Sequence, residues 1–166
     1  VIFGASGDLT HRKLMPALYI AYAQNLLPER FSVVGFARRD YDDEIFRGMM
    51  GDAIREYCRL PVDGELVERF LEHVGYHKGD ISTSQAFADL RDKFRDTGKY
   101  PPNRLFYFSI MPSLFETAAA SLKEYGLVEP PGGLHWARVV IEKPFGNNLA
   151  DAKALNAELL GQLDES

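Results

Sequence analysis

The chain is poor in cysteine and has no long apolar segment. Its 166 residues include one cysteine, Cys58, so an internal disulfide and a cysteine-based metal site are both excluded. The longest apolar runs fall far short of the ~20 residues that cross a bilayer, and no signal peptide is visible. The net charge of −5 argues against general binding of nucleic acid. We therefore expect a cytoplasmic protein that binds neither nucleic acid nor membranes.

The length and composition are those of one globular domain. Apolar residues make up 46% of the chain and charged residues 26%, which is ordinary for such a domain. The chain opens at Val1 without a methionine and stops at Ser166 directly after a helical pattern. We therefore expect residues 1–166 to be one domain, cut from a longer protein.

Segments that favour strands alternate with segments that favour helices. Short runs of apolar, aromatic and β-branched residues predict strands at residues 1–3, 31–36, 75–81, 104–110 and 138–142. From Asp8 the chain is predicted to be helical or turn-like, with Pro16 in the first turn of a helix that runs to about Asn25. Further helices are predicted at about 42–60, 63–73, 84–96, 112–125 and 149–163. In the second helix, Ile45, Met49 and Ile54 are predicted to share a face. The alternation predicts an α/β fold, a doubly wound Rossmann-like parallel sheet with helices on both faces.

Residues 4–9 (GASGDL) follow the first predicted strand. In such sheets, ligands bind beyond the carboxyl ends of the strands. The glycines allow a tight turn and a close approach to a phosphate, and the N-terminus of the next helix offers free N–H groups. The spacing is G-x-x-G rather than G-x-G-x-x-G, so Ser6 stands where a middle glycine is usual. Because glycine-rich turns are also common without a ligand, this motif alone is a weak indication of phosphate binding.

Arg38 and Arg39 follow the second predicted strand. An acid at this place binds the ribose 2′-hydroxyl of NAD, whereas an arginine accepts the 2′-phosphate of NADP. The alternative is that both arginines are solvated loop charges paired with Asp40 or Asp42.

Two further features lie near strand ends. Lys143 follows the fifth predicted strand and is expected to point over the same crevice, although it could also be a solvated lysine beside Glu142. His73 and His77 are four residues apart, as in a helical metal pair, but Gly75 between them disfavours a helix. We therefore expect no metal site.

Four blocks of the sequence, in order, resemble the glucose-6-phosphate dehydrogenase family. The resemblance covers the whole chain, and residues 142–146 (EKPFG) are its most specific block. The other blocks are residues 4–9 with 12–14 (RKL) and 16–18 (PAL), residues 34–38 (VGFAR), and residues 104–107 (RLFY) with Pro112. The chain departs from the family at Met111, where a second proline is frequent, and at Phe115, where a tyrosine is frequent.

The resemblance implies an oxidoreductase of the oxidative pentose phosphate pathway. It would transfer a hydride from glucose 6-phosphate to NADP and give the 6-phosphogluconolactone. The residues implied to bind the coenzyme are Gly4, Ala5, Ser6, Gly7, Asp8, Leu9, Arg38, Arg39 and Lys143. Lys13 and Lys143 are implied to reach toward the sugar phosphate, with Lys143 in a supporting catalytic role. Pro144 is implied to shape the crevice.

The resemblance also implies what lies elsewhere. The family's catalytic histidine, its acidic partner and most oligomer contacts belong to a later β+α domain. The 166-residue chain alone is therefore expected to be inactive, and the whole enzyme is expected to be a homo-oligomer.

Two other functions share parts of this pattern. Short-chain reductases also open with Gly-Ala-Ser-Gly, but they need a Tyr-x-x-x-Lys pair for proton transfer, and no tyrosine of this chain has a lysine four residues later. A non-enzymatic NADP-sensing module would keep the glycine turn and Arg38 but would have no need of Lys13 and Lys143. Substituting the two lysines and measuring coenzyme affinity would separate the sensor from the enzyme.

Overall fold

A computed structural model describes residues 1–128, 134–143 and 148–163 of the chain. The chain divides into two compact units, Val1–Lys78 and Gly79–Ser166. Both units combine parallel strands with helices, which confirms the predicted α/β class. No helix in the described part of the chain is long and apolar enough to cross a membrane.

The first unit is built on three parallel strands in the order β3-β2-β1. They are β1 (Ile2–Phe3), β2 (Val33–Ala37) and β3 (Val74–Lys78). All five residues of β2 are buried, as expected for an inner strand of a parallel sheet. In the strand register, Gly35 lies opposite Ile2 on one side and Tyr76 on the other.

Three α-helices belong to this unit: α1 (Met15–Ala23), α2 (Asp43–Tyr57) and α3 (Gly64–Glu72). An aspartate caps each of the last two helices. Asp42 Oδ1 accepts from Ile45 N at 2.7 Å, and Asp63 Oδ1 accepts from Glu65 N at 2.9 Å. These bonds satisfy N–H groups that a helix start would otherwise leave without partners, and they fix where both helices begin.

A π-helical segment, Thr10–Leu14, leads directly into α1. Met15 N donates to Thr10 O, five residues earlier, which is the hydrogen bond of a π turn. Pro16 follows immediately and has no N–H to continue the ladder. Pro16 lies in the first turn of α1, and the helical backbone begins at Asp8, both as predicted.

The predicted face of α2 is right for Ile54 and wrong for Ile45. Phe46, Met50 and Ile54 are fully buried, whereas Ile45 is 48% exposed. The three buried residues recur every four positions, whereas Ile45 and Ile54 lie about 180° apart around a helix. The Phe46 ring decides the orientation, because it packs 5.0 Å from the Tyr76 ring of β3.

The second unit contains β4 (Arg104–Phe108) and β5 (Ala137–Ile141), which pair in parallel with Phe106 opposite Val139. Its helices are α4 (Ser84–Lys93), α5 (Phe115–Glu124) and α6 (Leu149–Gln162). A short 3₁₀ turn, Pro112–Leu114, precedes α5, so the helix predicted from Pro112 is not α-helical in its first turn. Gly126 follows α5 with φ of 62°, a left-handed conformation that favours glycine and ends the helix.

Candidate coenzyme site

The turn at residues 4–9 is anchored to the carboxyl end of β2. Gly4 N and Ala5 N both donate to Phe36 O, at 2.9 and 3.2 Å, and Gly7 N donates to Gly4 O at 2.9 Å. Gly4 has φ of 79°, which a residue with a Cβ rarely adopts. These bonds hold the glycine turn beside the end of β2, in the same unit as Arg38 and Arg39.

The same bonds show which amides an anion could use. Gly4, Ala5 and Gly7 already donate within the protein, and the helical ladder starts with His11 N donating to Gly7 O at 3.3 Å. Within residues 4–10, the amides of Ser6, Asp8, Leu9 and Thr10 donate in none of these bonds. Amides at the start of a helix lack helical partners and face the positive end of its dipole. These four amides are therefore the best-placed donors for a phosphate.

Gly7 packs closely against the backbone of the turn. A Cβ on Gly7 would lie 3.1 Å from Gly4 O, closer than side chains normally come to a carbonyl oxygen. A side chain at this position would therefore require the Gly4 carbonyl to shift by a few tenths of an ångström.

Thr10 is a residue that no sequence pattern singled out. It is fully buried at the start of the π-helical segment, and its Oγ1 has no hydrogen-bond partner among the described residues. An unpartnered buried hydroxyl costs about 1–3 kcal/mol. The π turn and this hydroxyl together set the segment after the glycine turn apart from an ordinary helix, and π turns are frequent at functional sites.

Arg38 and Arg39 are exposed directly after β2. The alternative that they pair with Asp40 or Asp42 does not match the contacts found. Asp40 Oδ1 lies 2.8 Å from Lys78 Nζ, and Asp42 caps α2. Within the described residues, neither arginine forms an ion pair with a carboxylate, so both guanidinium groups are available to an anion.

Tyr76, which the sequence did not point to either, holds the backbone of this arginine turn. Its hydroxyl lies 2.9 Å from Ala37 O and 2.8 Å from Arg39 O, and Tyr41 N donates to Arg39 O at 3.0 Å. Burial, with smaller effects from Tyr41 and Asp40, raises the pKa of Tyr76 to about 12. The hydroxyl therefore remains a neutral donor at physiological pH.

The two lysines predicted to face the substrate lie in different units. Lys13 is exposed on the π-helical segment of the first unit, and Lys143 is exposed just after β5 in the second. Glu142 beside Lys143 accepts a hydrogen bond from the Tyr107 hydroxyl of β4. Burial, followed by this bond, raises the pKa of Tyr107 to about 12. Pro144 and the rest of the EKPFG block lie outside the described residues.

The histidine pair does not form the helical arrangement of a metal site. His73 ends α3 and stacks on Phe31 with ring centroids 4.4 Å apart, whereas His77 is buried in β3, 5.2 Å from the Phe36 ring. In the described part of the chain, no group of three or more His, Cys, Asp and Glu side chains could hold a metal ion.

The sequence was compared with known protein families. Residues 1–166 match the family model described as "Glucose-6-phosphate dehydrogenase, NAD binding domain". The chain belongs to this family.

Relatives of known name agree with this glucose-6-phosphate dehydrogenase assignment. The chain is 41% identical over 162 residues to "Glucose-6-phosphate 1-dehydrogenase 2" of Mycobacterium tuberculosis, covering 94% of this chain and 31% of that protein. It is 37% identical to "Glucose-6-phosphate 1-dehydrogenase" of Bacillus subtilis, covering 96% of this chain and 32% of that protein. The chain thus spans about a third of the length of the curated relatives it matches.

Solved structures of glucose-6-phosphate dehydrogenases share the fold. The enzyme from Mycobacterium avium superposes with a TM-score of 0.84 at 29% identity, covering 98% of this chain and 33% of that one. A structure named "Glucose-6-phosphate dehydrogenase in complex with its substrate glucose-6-phosphate" gives a TM-score of 0.83 at 31% identity, with 98% and 34% covered. The predicted Rossmann-like class is confirmed.

The glucose-6-phosphate dehydrogenase family is described as NAD-binding, and the residues present fit a nicotinamide dinucleotide. The turn at residues 4–9 brings a glycine-rich backbone and helix-start amides to one place, as a pyrophosphate requires. The exposed arginines stand at the end of the neighbouring strand, where the ribose of such a ligand is bound in this class of fold.

Proposed function

We propose that this chain is the NADP-binding domain of a glucose-6-phosphate dehydrogenase. The whole protein would oxidise glucose 6-phosphate to the 6-phosphogluconolactone, as the first step of glucose entry into the oxidative pentose phosphate pathway. The observation that carries the preference for NADP is the arginine pair after β2. Neither arginine has a carboxylate partner among the described residues, and the acid that follows them is paired with Lys78.

The residues of this chain would bind and orient the reactants. The turn at residues 4–9 would hold the pyrophosphate, and Arg38 with Arg39 would hold the 2′-phosphate in charge-assisted hydrogen bonds. Lys13 and Lys143 would act toward glucose 6-phosphate. The bound nicotinamide ring supplies the hydride acceptor, and the base for the sugar hydroxyl would come from outside this chain.

Coenzyme selectivity tests the role of the arginines. We expect Arg38→Ala to weaken NADP+ binding about 10- to 150-fold, equivalent to about 1.5–3 kcal/mol for a hydrogen bond to a charged group. NAD+ binding should change little, because NAD+ lacks the 2′-phosphate. Calorimetric titration of the whole protein measures both affinities, and Arg59→Ala, at another exposed arginine, is the matched control. Equal losses for the two coenzymes would remove the basis for the NADP assignment.

Activity tests the division of labour between this chain and the rest of the protein. The whole protein with glucose 6-phosphate and NADP+ should produce NADPH, followed by its absorbance. The isolated 166-residue chain should bind NADP+ without turnover, because a positioned base contributes about 10²–10⁴-fold to such a step. Clear activity from a folded isolated chain, verified by circular dichroism, would place a base among these residues and contradict the proposal.

The proposal extends to the cellular setting. A single cysteine in this chain is consistent with a reducing cytoplasm, where we place the protein. The whole enzyme would be a homo-oligomer assembled mainly through residues outside this chain. Light scattering of the whole protein would measure its mass, and a monomer at working concentration would contradict this part.

A further inference from the structure

The arginine turn is held by a side chain from the neighbouring strand. Tyr76 lies on β3, opposite Gly35 of β2, and its hydroxyl reaches two carbonyl oxygens at the end of β2. It lies 2.9 Å from Ala37 O and 2.8 Å from Arg39 O. The first carbonyl belongs to the peptide that leads into Arg38, and the second belongs to the peptide that leaves Arg39. The two contacts therefore bracket the arginine pair.

The Tyr76 ring is itself fixed in place. It is only 4% exposed, and its ring centroid lies 5.0 Å from that of Phe46 and 5.6 Å from that of Tyr41. Its backbone N–H donates to Asp43 Oδ1 at 2.6 Å. A hydroxyl on a ring so constrained holds both carbonyls at a fixed separation, with its single proton shared between them.

The arginine side chains have no comparable support of their own. Both are exposed, and within the described residues no carboxylate pairs with either. The direction of each guanidinium toward a ligand therefore depends on the backbone from which it projects. Long exposed side chains lose conformational freedom on binding, and a rigid backbone reduces the part of that loss that comes from the main chain.

We propose that Tyr76 is a positioning residue that holds the Arg38–Arg39 turn ready for the 2′-phosphate and thereby contributes to the choice of NADP over NAD. This inference rests on the proposed function, because it assumes that the arginine pair binds that phosphate. Tyr76 acts through the backbone of the turn and needs no contact with the coenzyme.

The test is Tyr76→Phe in the whole protein, which removes the hydroxyl and keeps the ring. The NADP+ dissociation constant should rise about 3- to 10-fold, the value of one neutral hydrogen bond. The NAD+ dissociation constant should change by less than about 2-fold. Retained NAD+ binding also shows that the variant is folded. Tyr19→Phe is the matched control, since the Tyr19 hydroxyl also contacts backbone atoms, Asp63 N at 3.2 Å and Asp63 O at 3.4 Å. It should leave the ratio of the two constants unchanged.

A double-mutant cycle shows whether Tyr76 acts through the arginines. In a background that carries both Arg38→Ala and Arg39→Ala, Tyr76→Phe should have little further effect on NADP+ binding, because the groups that it positions are absent. Full additivity, or equal losses for NADP+ and NAD+ in the single variant, would overturn the inference. If Arg38→Ala alone shows no selectivity for NADP+, the proposed function fails instead. If Arg38→Ala is selective and Tyr76→Phe is not, only this inference fails.

Discussion

The carboxylate of Asp43, the first residue of α2, accepts a hydrogen bond from the backbone N–H of Tyr76 at 2.6 Å. One turn later on the same helix, Arg47 Nε donates to Val74 O at 2.6 Å. β3 lies at the edge of the order β3-β2-β1, so the backbone groups on its outer side have no neighbouring strand to bond with in the first unit. Asp43 and Arg47 bond to two of these groups, the Tyr76 N–H and the Val74 carbonyl, and so protect this edge of the sheet.

Asp43→Ala should lower the free energy of unfolding by about 1–3 kcal/mol, because it leaves the partly buried Tyr76 N–H without its acceptor. Urea titration followed by circular dichroism measures the change. Asp52→Ala is the matched control, since Asp52 is on the same helix, 84% exposed and 3.6 Å from Arg55. The control should change the free energy of unfolding by less than about 0.5 kcal/mol. Similar losses for both variants would contradict a special role for Asp43.

Two glycines should respond to alanine in opposite directions. A Cβ on Gly35 would lie 2.9 Å from Ala5 Cβ and closer still to the buried Phe46 ring, so Gly35→Ala should destabilise by about 1–3 kcal/mol. Gly48 lies in α2, and a Cβ added there would meet nothing within 4 Å, so Gly48→Ala should stabilise by about 0.5–1 kcal/mol. Thermal unfolding of the two variants provides the comparison. An unchanged or raised melting temperature for Gly35→Ala would contradict the tight packing around Gly35, and a lowered one for Gly48→Ala would contradict the open space beside Gly48.

Lys78 should tune coenzyme affinity through Asp40. Their ion pair, at 2.8 Å, is exposed and adds little to stability, but it occupies the carboxylate next to Arg39. Lys78→Met would free that carboxylate to compete for the arginines, and NADP+ binding should weaken about 2- to 5-fold at low salt. Fluorescence titration of NADP+ measures the effect. Adding Asp40→Asn to Lys78→Met should restore NADP+ affinity. The loss of affinity in Lys78→Met should also become smaller as the salt concentration is raised. A loss that Asp40→Asn does not repair would argue against this mechanism.

The tyrosine that braces the arginine turn should make stability fall at high pH. Its pKa is raised from 10.0 to about 12, so the folded state keeps a proton that the unfolded chain loses first. The resulting stability is complete below pH 10 and is lost as pH rises from 10 to 12. Denaturant titrations across this range should show a shallower decline in Tyr76→Phe than in the unmodified protein. The pKa of Tyr107 is also raised to about 12, so Tyr107 should cause part of the decline in stability that remains in Tyr76→Phe. An identical decline in both proteins would contradict the shift at Tyr76.

The sequence predicts local features of the site better than those made by packing. The glycine turn and the arginine pair are predictable because each directly follows a strand, and the apolar and β-branched residues of that strand mark it in the sequence. Tyr76 is not predictable in the same way, since its partners are 39 and 37 positions away and no local pattern marks them. The error in the predicted face of α2 has a different cause. Ile45 and Ile54 lie about 180° apart around a helix, whereas Phe46, Met50 and Ile54 share one face, with Phe46 packed against β3.

The π turn before α1 takes up one residue in the segment that joins the glycine turn to the helix. The bond from Met15 N to Thr10 O spans one residue more than an α-helical bond. Each residue of an α-helix advances about 100° around its axis, so a regular helix with the same number of residues would rotate the glycine turn by about 100° relative to the buried face of α1. The π turn absorbs that residue locally, which keeps Gly4 and Ala5 bonded to Phe36 O while Met15 and Tyr19 remain buried. A variant that made this segment a regular α-helix without removing a residue would therefore separate the glycine turn from the end of β2.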